Sequence, residues 1–326
     1  MHYRMIGNLK VSPVGMGCMG LSHASGAPLE KGRAVSVIRS AYEMGYTFFD
    51  TAECYTGVYE DGSISYNEEL VGSALKGMRA NVVIATKFGV KHAPDRSLIL
   101  NSRPETIRKS VEGSLKRLGT DYIDLYYQHR IDPDVAPEEV AGVMADLIKE
   151  GKIRAWGISE ANEDYLRRAN AVCRVSAVQN RYSMMARWHE SLFPCLEELG
   201  IALVAFSPMA NGFLTNRYDQ NTKFEGSADY RGDMPQYSKE GFVRAKALTE
   251  LLRDLAREKS ATPAQISLAW MLCKKPWIIP IPGSRKTERL KENLGSAEIK
   301  LTAQEIQKID DLLDHSDFLV FGGHTS

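Results

Sequence analysis

In this 326-residue chain, side chains that can take part in acid–base chemistry recur at the points where predicted strands end. The β-branched and aromatic run Thr47–Phe49 predicts a buried strand, which ends on Asp50 and is followed by Tyr55 in the next loop. Two further apolar runs end on Lys87 and on His129. In a barrel of alternating strands and helices the loops after the strands meet at one face, so the sequence predicts that these four side chains lie close together.

These four side chains suit proton transfer to a carbonyl oxygen. A tyrosine hydroxyl titrates near pH ~10, and a neighbouring ammonium lowers its pKa because it favours the phenolate. We expect Lys87 to act in this way on Tyr55, with Asp50 holding Lys87 in position. His129 would bond the same substrate oxygen or relay the proton. None of these residues supplies a hydride, so a reduction here requires a cofactor.

Four later predicted strands also end in polar or aromatic side chains. The residues at their ends are Ser159, Gln179 and Asn180, Phe206 and Ser207, and Gly283, Ser284 and Arg285. Hydroxyl and amide groups suit a carboxamide, and an aromatic face such as that of Phe206 can stack on a nicotinamide ring. The sequence therefore predicts a cofactor site along the rest of the rim.

A cluster of cations follows the last predicted strand. Gly283-Ser284-Arg285-Lys286 leads into a predicted helix that carries Arg289. A small residue, a hydroxyl and cations at the start of a helix are typical of an anion site. Arginine there favours a 2′-phosphate, and hence NADPH/NADP over NAD. A merely solvated helix face is the alternative interpretation.

The pattern of the whole chain predicts one (β/α)8 TIM barrel. Strands and amphipathic helices alternate, and eight strands can be counted from Val11–Met16 to Trp277–Pro282. Residues 2–12 alternate around Gly7-Asn8, which predicts a β-hairpin ahead of the barrel. No Pro/Ser-rich linker divides the sequence, so residues 1–326 are expected to form a single domain. Helical patterns are centred on residues 32–44, 67–76, 104–118, 137–150, 163–171, 189–199, 241–258, 263–274, 287–294 and 302–313.

Gly15-Met16-Gly17-Cys18-Met19-Gly20 is a formal match to the GxGxxG dinucleotide motif. That motif requires a helix that opens directly at the glycines. Here a loop with serines, a glycine and a proline intervenes, and the helix begins near Lys31. The glycines are therefore interpreted as a tight strand exit.

Three segments stand outside the alternating pattern. Residues 57–66 lengthen the loop after Tyr55, and residues 211–239 are long, polar and rich in Gly, Asn and Asp. Loops of this length are usually functional or mobile. The apolar run Phe318–Phe321 in the tail 318–326 either covers the barrel mouth or binds a second subunit, and the sequence does not separate these two roles.

The bulk composition argues against several classes of partner. The formal net charge is zero, so bulk electrostatics predicts neither a nucleic-acid nor a membrane partner. Five scattered cysteines without a CxxC pair indicate reduced thiols, and we expect a cytoplasmic protein. The histidines show no metal-ligand spacing, so no metal is expected. The sequence assigns no oligomeric state.

Taken together, the chain resembles the aldo-keto reductase family over nearly its whole length. The stretches that carry the resemblance are Gly45–Tyr55, Asn67–Gly72, Ala85–Gly89, Asp121–Arg130, Gly151–Ala161, Val178–Ser183, Ala205–Pro208 and Ile281–Asn293. Its His129-Arg130 pair follows the fourth predicted strand. In this feature the chain resembles the branch that includes bacterial pyridoxal reductases and plant auxin-induced-type reductases.

The resemblance implies a (β/α)8 barrel, NADPH bound in extended form without a Rossmann fold, and reversible reduction of a small aldehyde or ketone. It implies a catalytic tetrad of Asp50, Tyr55, Lys87 and His129, with the tyrosine as acid. The implied cofactor-binding residues are Ser159, Gln179 and Asn180 for the amide, Phe206 for the ring, Ser284, Arg285 and Arg289 for the 2′-phosphate, and Glu292 and Asn293 for the adenine. Ser207 and Gly283 are also expected among the cofactor-binding residues. Glu160 stands where many members have asparagine, and Met209-Ala210-Asn211 replaces a leucine-glycine run.

Two other function classes remain as alternatives to an NADPH-dependent carbonyl reductase. A reductase-like barrel can instead sense NADP(H) and regulate a partner, as the β-subunits of potassium channels resemble this family too. A glycosidase with paired carboxylates is a weaker alternative, because Asp50 and Glu53 lie on one loop and no opposing acid is evident. The substrate is not assigned by the sequence.

Overall fold

A parallel sheet of eight strands dominates the computed structural model, which describes residues 3–24, 26–93, 95, 97–224 and 229–322. The strands are β1 Arg4–Ile6, β2 Leu9–Val11, β3 Met16–Gly17, β4 Phe48–Asp50, β5 Thr56–Val58, β6 Ile64–Tyr66, β7 Val83–Phe88, β8 Val90–His92, β9 Leu98–Leu100, β10 Ile123–Gln128, β11 Ile153–Ser159, β12 Ala177–Arg181, β13 Ala202–Phe206 and β14 Ile278–Pro280. The helices are α1 Lys31–Met44, α2 Asn67–Leu75, α3 Pro104–Leu118, α4 Pro137–Lys149, α5 Glu163–Val172, α6 Phe193–Leu199, α7 Lys239–Arg244, α8 Lys246–Glu258, α9 Pro263–Lys274, α10 Thr287–Gly295 and α11 Ala303–Asp314.

The eight sheet strands close into a barrel in chain order. Their order is β3-β4-β7-β10-β11-β12-β13-β14, and every neighbouring pair is parallel. The backbone N–H of Gly15 donates to Pro280 O at 2.9 Å, and that of Gly17 donates to Pro282 O at 3.3 Å. These bonds join the first strand to the last, and the predicted (β/α)8 fold is confirmed.

Burial on both faces explains the apolar sequences of the strands. All six residues of β7 and all six of β10 are buried. Their inward side chains form a cluster inside the barrel, and their outward side chains pack against the helices. Parallel strands that are covered on both faces have nearly continuous apolar sequences, and these apolar runs are the pattern from which the strands were predicted.

A hairpin closes the end of the barrel at which the strands begin. β1 pairs with β2 in the register Arg4↔Val11 and Ile6↔Leu9, and Ile6 and Val11 are fully buried in the inner cluster. The predicted hairpin is therefore confirmed for the described residues. The predicted first barrel strand over 11–16 is wrong, because Pro13 has no N–H for a ladder and the chain turns there before β3.

The glycines of the GxGxxG match lie in the seam of the barrel. A Cβ on Gly17 would stand 2.7 Å from Ile281 O, and one on Gly283 would stand 2.7 Å from Gly17 O. The helix α1 begins only at Lys31, after a 3-10 turn at Met19–Leu21. The glycines thus allow a close approach of two backbones, as the tight strand exit requires.

Two hairpins rise from the end of the barrel at which the strands finish. Residues 57–66, expected only as a longer loop, pair as β5 and β6 with Val58 opposite Ile64. A second hairpin, β8–β9, follows β7 and was not predicted.

The predicted helix over 241–258 is two helices, since Ala245 interrupts it between α7 and α8. Across the described ranges, no helix is both long enough and apolar enough to span a membrane.

Candidate active site

The barrel brings Asp50, Tyr55, Lys87 and His129 together at the end where its strands finish. Asp50 closes β4, Lys87 lies near the end of β7, and His129 follows β10. Lys87 Nζ donates to Asp50 Oδ1 at 2.5 Å and to Thr51 O at 2.7 Å, and it lies 3.4 Å from Tyr55 Oη. The Lys87 side chain is fully buried, so the three bonds use its three donors away from water.

A glutamine holds the second oxygen of the Asp50 carboxylate. Gln179 Nε2 donates to Asp50 Oδ2 at 2.8 Å. Both oxygens of the carboxylate are therefore bonded, and the ion pair sits in a fixed orientation. The sequence placed Gln179 in the cofactor site and gave no signal for this second contact, which depends on the side chains of two strands meeting across the barrel.

The ammonium of Lys87 counters only part of the effect of burial on Tyr55. Burial raises the pKa of Tyr55, and the Lys87 charge lowers it by less, so the pKa lies above its ordinary value. The sequence led us to expect a lowered pKa, but in the structure burial outweighs the lysine charge and the pKa is raised. Burial also lowers the pKa of Lys87, but Asp50 and Tyr55 outweigh it and the pKa is raised. The phenol thus retains its proton beside a charged lysine.

His129 is a neutral imidazole beside the phenol. Burial, with the charges of Lys87 and Arg130, holds the pKa of His129 well below its ordinary value. Its ring meets the Tyr55 ring edge-on, with 5.7 Å between the centroids. Its Nδ1 lies 3.5 Å from Cys54 Sγ. A neutral imidazole has one N–H donor, which suits bonding to a carbonyl oxygen more than supplying a proton.

Of the predicted amide-binding residues, Asn180 has an unused donor. Ser159 Oγ donates to Gln179 O at 2.9 Å and accepts from Arg130 Nη1 at 3.0 Å. Asn180 Oδ1 accepts from the backbone N–H of Glu160 at 2.9 Å, while its buried Nδ2 has no partner among the described residues. A buried unpaired donor is costly, so Asn180 fits a site that a carboxamide oxygen completes.

The predicted stacking ring, Phe206, lies beside an arginine that also approaches the chain's tail. Phe206 is half-buried at the end of β13, with the Arg181 guanidinium carbon 5.0 Å from its centroid. The same guanidinium carbon lies 5.6 Å from the centroid of the Phe321 ring. The backbone N–H of Phe321 donates to Gln236 Oε1 at 2.9 Å. The described part of the predicted tail therefore lies beside Arg181 and Gln236, near the end of β12; residues 323–326 lie outside the described residues. Ser207, next to the ring, has a left-handed φ of 49°.

The predicted phosphate residues gather where the barrel seam meets α10. Gly283 lies against Gly17, and Ser284 Oγ accepts from the Lys286 backbone N–H at 3.0 Å. Arg285 Nε donates to Gly20 O, while its Nη2 has no partner in the part of the chain that the structure describes. This unused guanidinium donor at the start of α10 suits an anion.

The adenine positions lie one turn further along α10. Glu292 Oε2 lies 3.6 Å from Arg289 and 2.9 Å from Arg217. Asn293 is buried, and its carbonyl oxygen accepts from Ser296 Oγ at 2.6 Å. Arg217 comes from the long loop after β13, and the sequence offered no pattern that would place it here.

Two more residues close to Tyr55 were missed or undervalued. The His23 ring stacks on the Tyr55 ring with 5.9 Å between centroids, and its Nδ1–H donates to Thr56 O at 2.9 Å. Cys54, which the sequence analysis counted only among five scattered cysteines, contacts His129. Its position directly before Tyr55 was the one available signal.

Comparisons with known proteins identify the family of this chain. The model of the Aldo/keto reductase family matches residues 13–314 of the chain. A Glycine max protein named “Probable aldo-keto reductase 1” is 38% identical over 96% of this chain and 88% of its own. The aldo-keto reductase yakc [NADP(+)] of Schizosaccharomyces pombe is 36% identical over 97% of this chain and 92% of its own.

Solved structures show the same architecture. The glycerol dehydrogenase of Gluconobacter oxydans superposes with a TM-score of 0.84 at 26% identity and covers 99% of both chains. The holo form of an aldo-keto reductase from Bacillus halodurans gives a TM-score of 0.76 at 27% identity over the whole of both chains. With a family match over most of its length and relatives above one-third identity, this chain belongs to the aldo-keto reductase family, whose members are carbonyl-reducing oxidoreductases.

Proposed function

We propose that this protein is an NADPH-dependent reductase of aldehydes or ketones in which Tyr55 is the general acid. The observation that carries this proposal is the contact of Lys87 Nζ with both Tyr55 Oη, at 3.4 Å, and Asp50 Oδ1, at 2.5 Å. A phenol that keeps its proton beside a buried ammonium can give that proton to an oxygen on which negative charge develops, and the ammonium stabilises the phenolate that remains.

The other two residues position these groups and the substrate. Asp50 and Thr51 O hold Lys87, so the ammonium faces the phenol. His129 is neutral and offers an N–H to the substrate's carbonyl oxygen, which orients that oxygen toward Tyr55. Tyr55 as a residue is half-buried, so it is not wholly enclosed by the barrel.

The cofactor site fits a nicotinamide dinucleotide. Asn180 Nδ2 is a buried donor without a described partner, and Phe206 offers a ring at the end of β13. Ser159 and Gln179 lie beside Asn180 at the same rim. When bound, the reduced nicotinamide supplies the hydride. The chain's part is to hold the carboxamide through Asn180 and to support the ring on Phe206.

The cations at α10 favour NADPH over NADH. Arg285 has an unused Nη2, and Arg289 lies one turn along the helix. The forked N–H donors of a guanidinium match the oxygens of a phosphate well, so these residues would bind the 2′-phosphate together with Ser284. The Schizosaccharomyces pombe relative, which carries NADP(+) in its name, supports the same preference.

Replacing the acid tests the reaction. Tyr55→Phe should lower turnover of small aldehydes such as pyridoxal or a nitrobenzaldehyde by at least about 100-fold, because the proton donor is lost. NADPH affinity should stay close to wild type, since the hydroxyl lies in the proton-transfer site. Tyr59→Phe is the matched control, because it removes a nearby phenol that bonds Ser65 in the hairpin.

The outcomes separate the two candidate functions. Turnover that persists in Tyr55→Phe would contradict the acid assignment. Tight NADPH binding by the wild type with no turnover of any aldehyde would instead favour an NADP(H)-sensing protein. Both readings use the same purified protein, followed by NADPH absorbance for turnover and by fluorescence for binding.

Removal of one cation tests the cofactor preference. Arg289→Ala should weaken NADPH binding about tenfold or more and leave NADH binding nearly unchanged, because only the former carries the 2′-phosphate. Titration of the cofactor fluorescence measures both dissociation constants. Arg253→Ala on the exposed face of α8 is the control. If Arg289→Ala weakened the binding of NADPH and NADH by equal factors, the arginine would not bind the 2′-phosphate.

A further inference from the structure

The imidazole of His129 has one side-chain hydrogen-bond partner among the described residues, and that partner is a thiol. Cys54 Sγ lies 3.5 Å from His129 Nδ1, within the range of a sulfur hydrogen bond. We propose that Cys54 is a positioning residue: its S–H donates to Nδ1 and holds the His129 ring with its proton on Nε2.

The direction of the bond follows from the chemistry of the two groups. An unprotonated imidazole nitrogen is a good acceptor, whereas a thiol sulfur is a weak one, so the S–H is the better donor of this pair. Burial raises the pKa of the Cys54 thiol to about 12, so it keeps its proton. His129 is neutral, as described above, so Nδ1 is free to accept when Nε2 carries the proton.

Backbone hydrogen bonds fix the positions of both His129 and Cys54. The backbone N–H of His129 donates to Phe88 O at 3.0 Å, and its carbonyl accepts from Arg130 Nη1 at 2.6 Å. On the other side, Tyr55 N–H donates to Ala52 O at 3.1 Å and closes a tight turn around Cys54. The thiol and the phenol therefore reach the site from adjacent positions of one turn.

The bond determines which nitrogen of His129 faces a substrate. With Nδ1 engaged by Cys54, Nε2–H is the donor left for a carbonyl oxygen. This consequence rests on the proposed reductase function. The tautomer itself does not, and it can be measured without turnover.

Nitrogen NMR tests the tautomer directly. In protein labelled with ¹⁵N-histidine, the His129 signals are identified by their loss in His129→Gln. We expect a protonated Nε2 and an unprotonated Nδ1 whose resonance is displaced by a hydrogen bond. Cys54→Ala should move the Nδ1 resonance toward its unbonded position, and Cys54→Ser, which keeps a donor, should not. A proton on Nδ1 in the wild type, or an Nδ1 resonance unchanged in Cys54→Ala, would overturn the proposal.

Kinetics give a second readout. Cys54→Ala should lower kcat/KM about threefold to tenfold, the effect of one weak neutral hydrogen bond, with NADPH affinity unchanged. Cys54→Ser should keep most of the activity. Cys273→Ala, at the far end of α9, controls for loss of a thiol. If the wild type shows no turnover, the proposed function fails while the NMR result still decides the role of Cys54; wild-type turnover with an unaltered Cys54→Ala enzyme counts against the Cys54 proposal alone.

Discussion

The ion pair between Lys87 and Asp50 is buried but fully bonded. The exposed fractions of the two residues are 0% and 3%. Removing two charges from water is costly, and their attraction offsets this cost only when the remaining donors and acceptors are also bonded. Thr51 O and Gln179 Nε2 provide those bonds. The pair therefore holds its geometry, and each partner depends on the other.

This dependence predicts a strong coupling between the two residues. Lys87→Met should lower the free energy of unfolding by about 3 kcal/mol, because it leaves a buried carboxylate without its counter-ion. Adding Asp50→Asn to Lys87→Met should restore part of this loss, since the double variant buries no charge. Urea unfolding of the wild type, both single variants and the double variant measures the coupling. Additive losses would show that the pair does not act as a unit.

Strand ends were the features of the candidate site that could be predicted from the sequence. Asp50, Lys87 and His129 follow apolar runs, so parallel topology alone brings them to one rim. The bond from Gln179 to Asp50 was not predictable, because it depends on side chains crossing the barrel interior. Nor was the net direction of the Tyr55 pKa, since burial and the lysine charge act against each other and only the structure shows their balance.

At the scale of elements, the β5–β6 hairpin is joined closely to the candidate acid. β5 begins directly after Tyr55, and His23 bonds its first residue, Thr56. Ser22 Oγ donates to Tyr55 O at 3.1 Å. A Cβ on Gly57 would stand 2.1 Å from Ser22 O and 2.6 Å from the Pro28 ring. The hairpin and the loop after β3 therefore pack backbone to backbone beside the phenol.

Gly57→Ala should disturb the acid through this contact. The methyl group cannot fit, so the hairpin must move, at an expected cost of about 1–3 kcal/mol in stability. We expect kcat/KM for aldehydes to fall more than NADPH affinity, because Ser22, which the methyl group would displace, bonds the backbone of Tyr55 itself. Thermal unfolding and steady-state kinetics measure the two effects.

A second glycine provides the control for this prediction. Gly142 lies inside α4, and an added Cβ there meets no atom within 4 Å. Gly142→Ala should therefore raise stability by about 0.5–1 kcal/mol through helix propensity and leave activity unchanged. Wild-type kinetics in Gly57→Ala would show that the hairpin packing does not position Tyr55.

At the scale of the whole molecule, alternation of strands and helices was enough to predict the barrel. Helix ends were also well marked: Pro104 and Pro137 start α3 and α4, and Gly119 ends α3 in the left-handed conformation. What the sequence could not show were the short paired elements, such as β8–β9 and β5–β6. The β1–β2 hairpin has strands of the same length, but each of them buries one apolar residue, whereas β8 and β9 are mostly exposed and leave no period-2 pattern that distinguishes them from a loop.

The neutral state of His129 should make the stability of the whole protein depend on pH. Below a pH of about 6.5 an unfolded histidine binds a proton, whereas native His129, with its pKa far lower, does not. The unfolded state then binds more protons, so the free energy of unfolding falls as the pH falls through this range. Between pH 7 and pH 5, wild type should lose about 1–2 kcal/mol more stability than His129→Gln, which carries no titrating ring. Urea unfolding of both proteins at several pH values measures this difference, and parallel curves would mean that His129 gains its proton in the folded state.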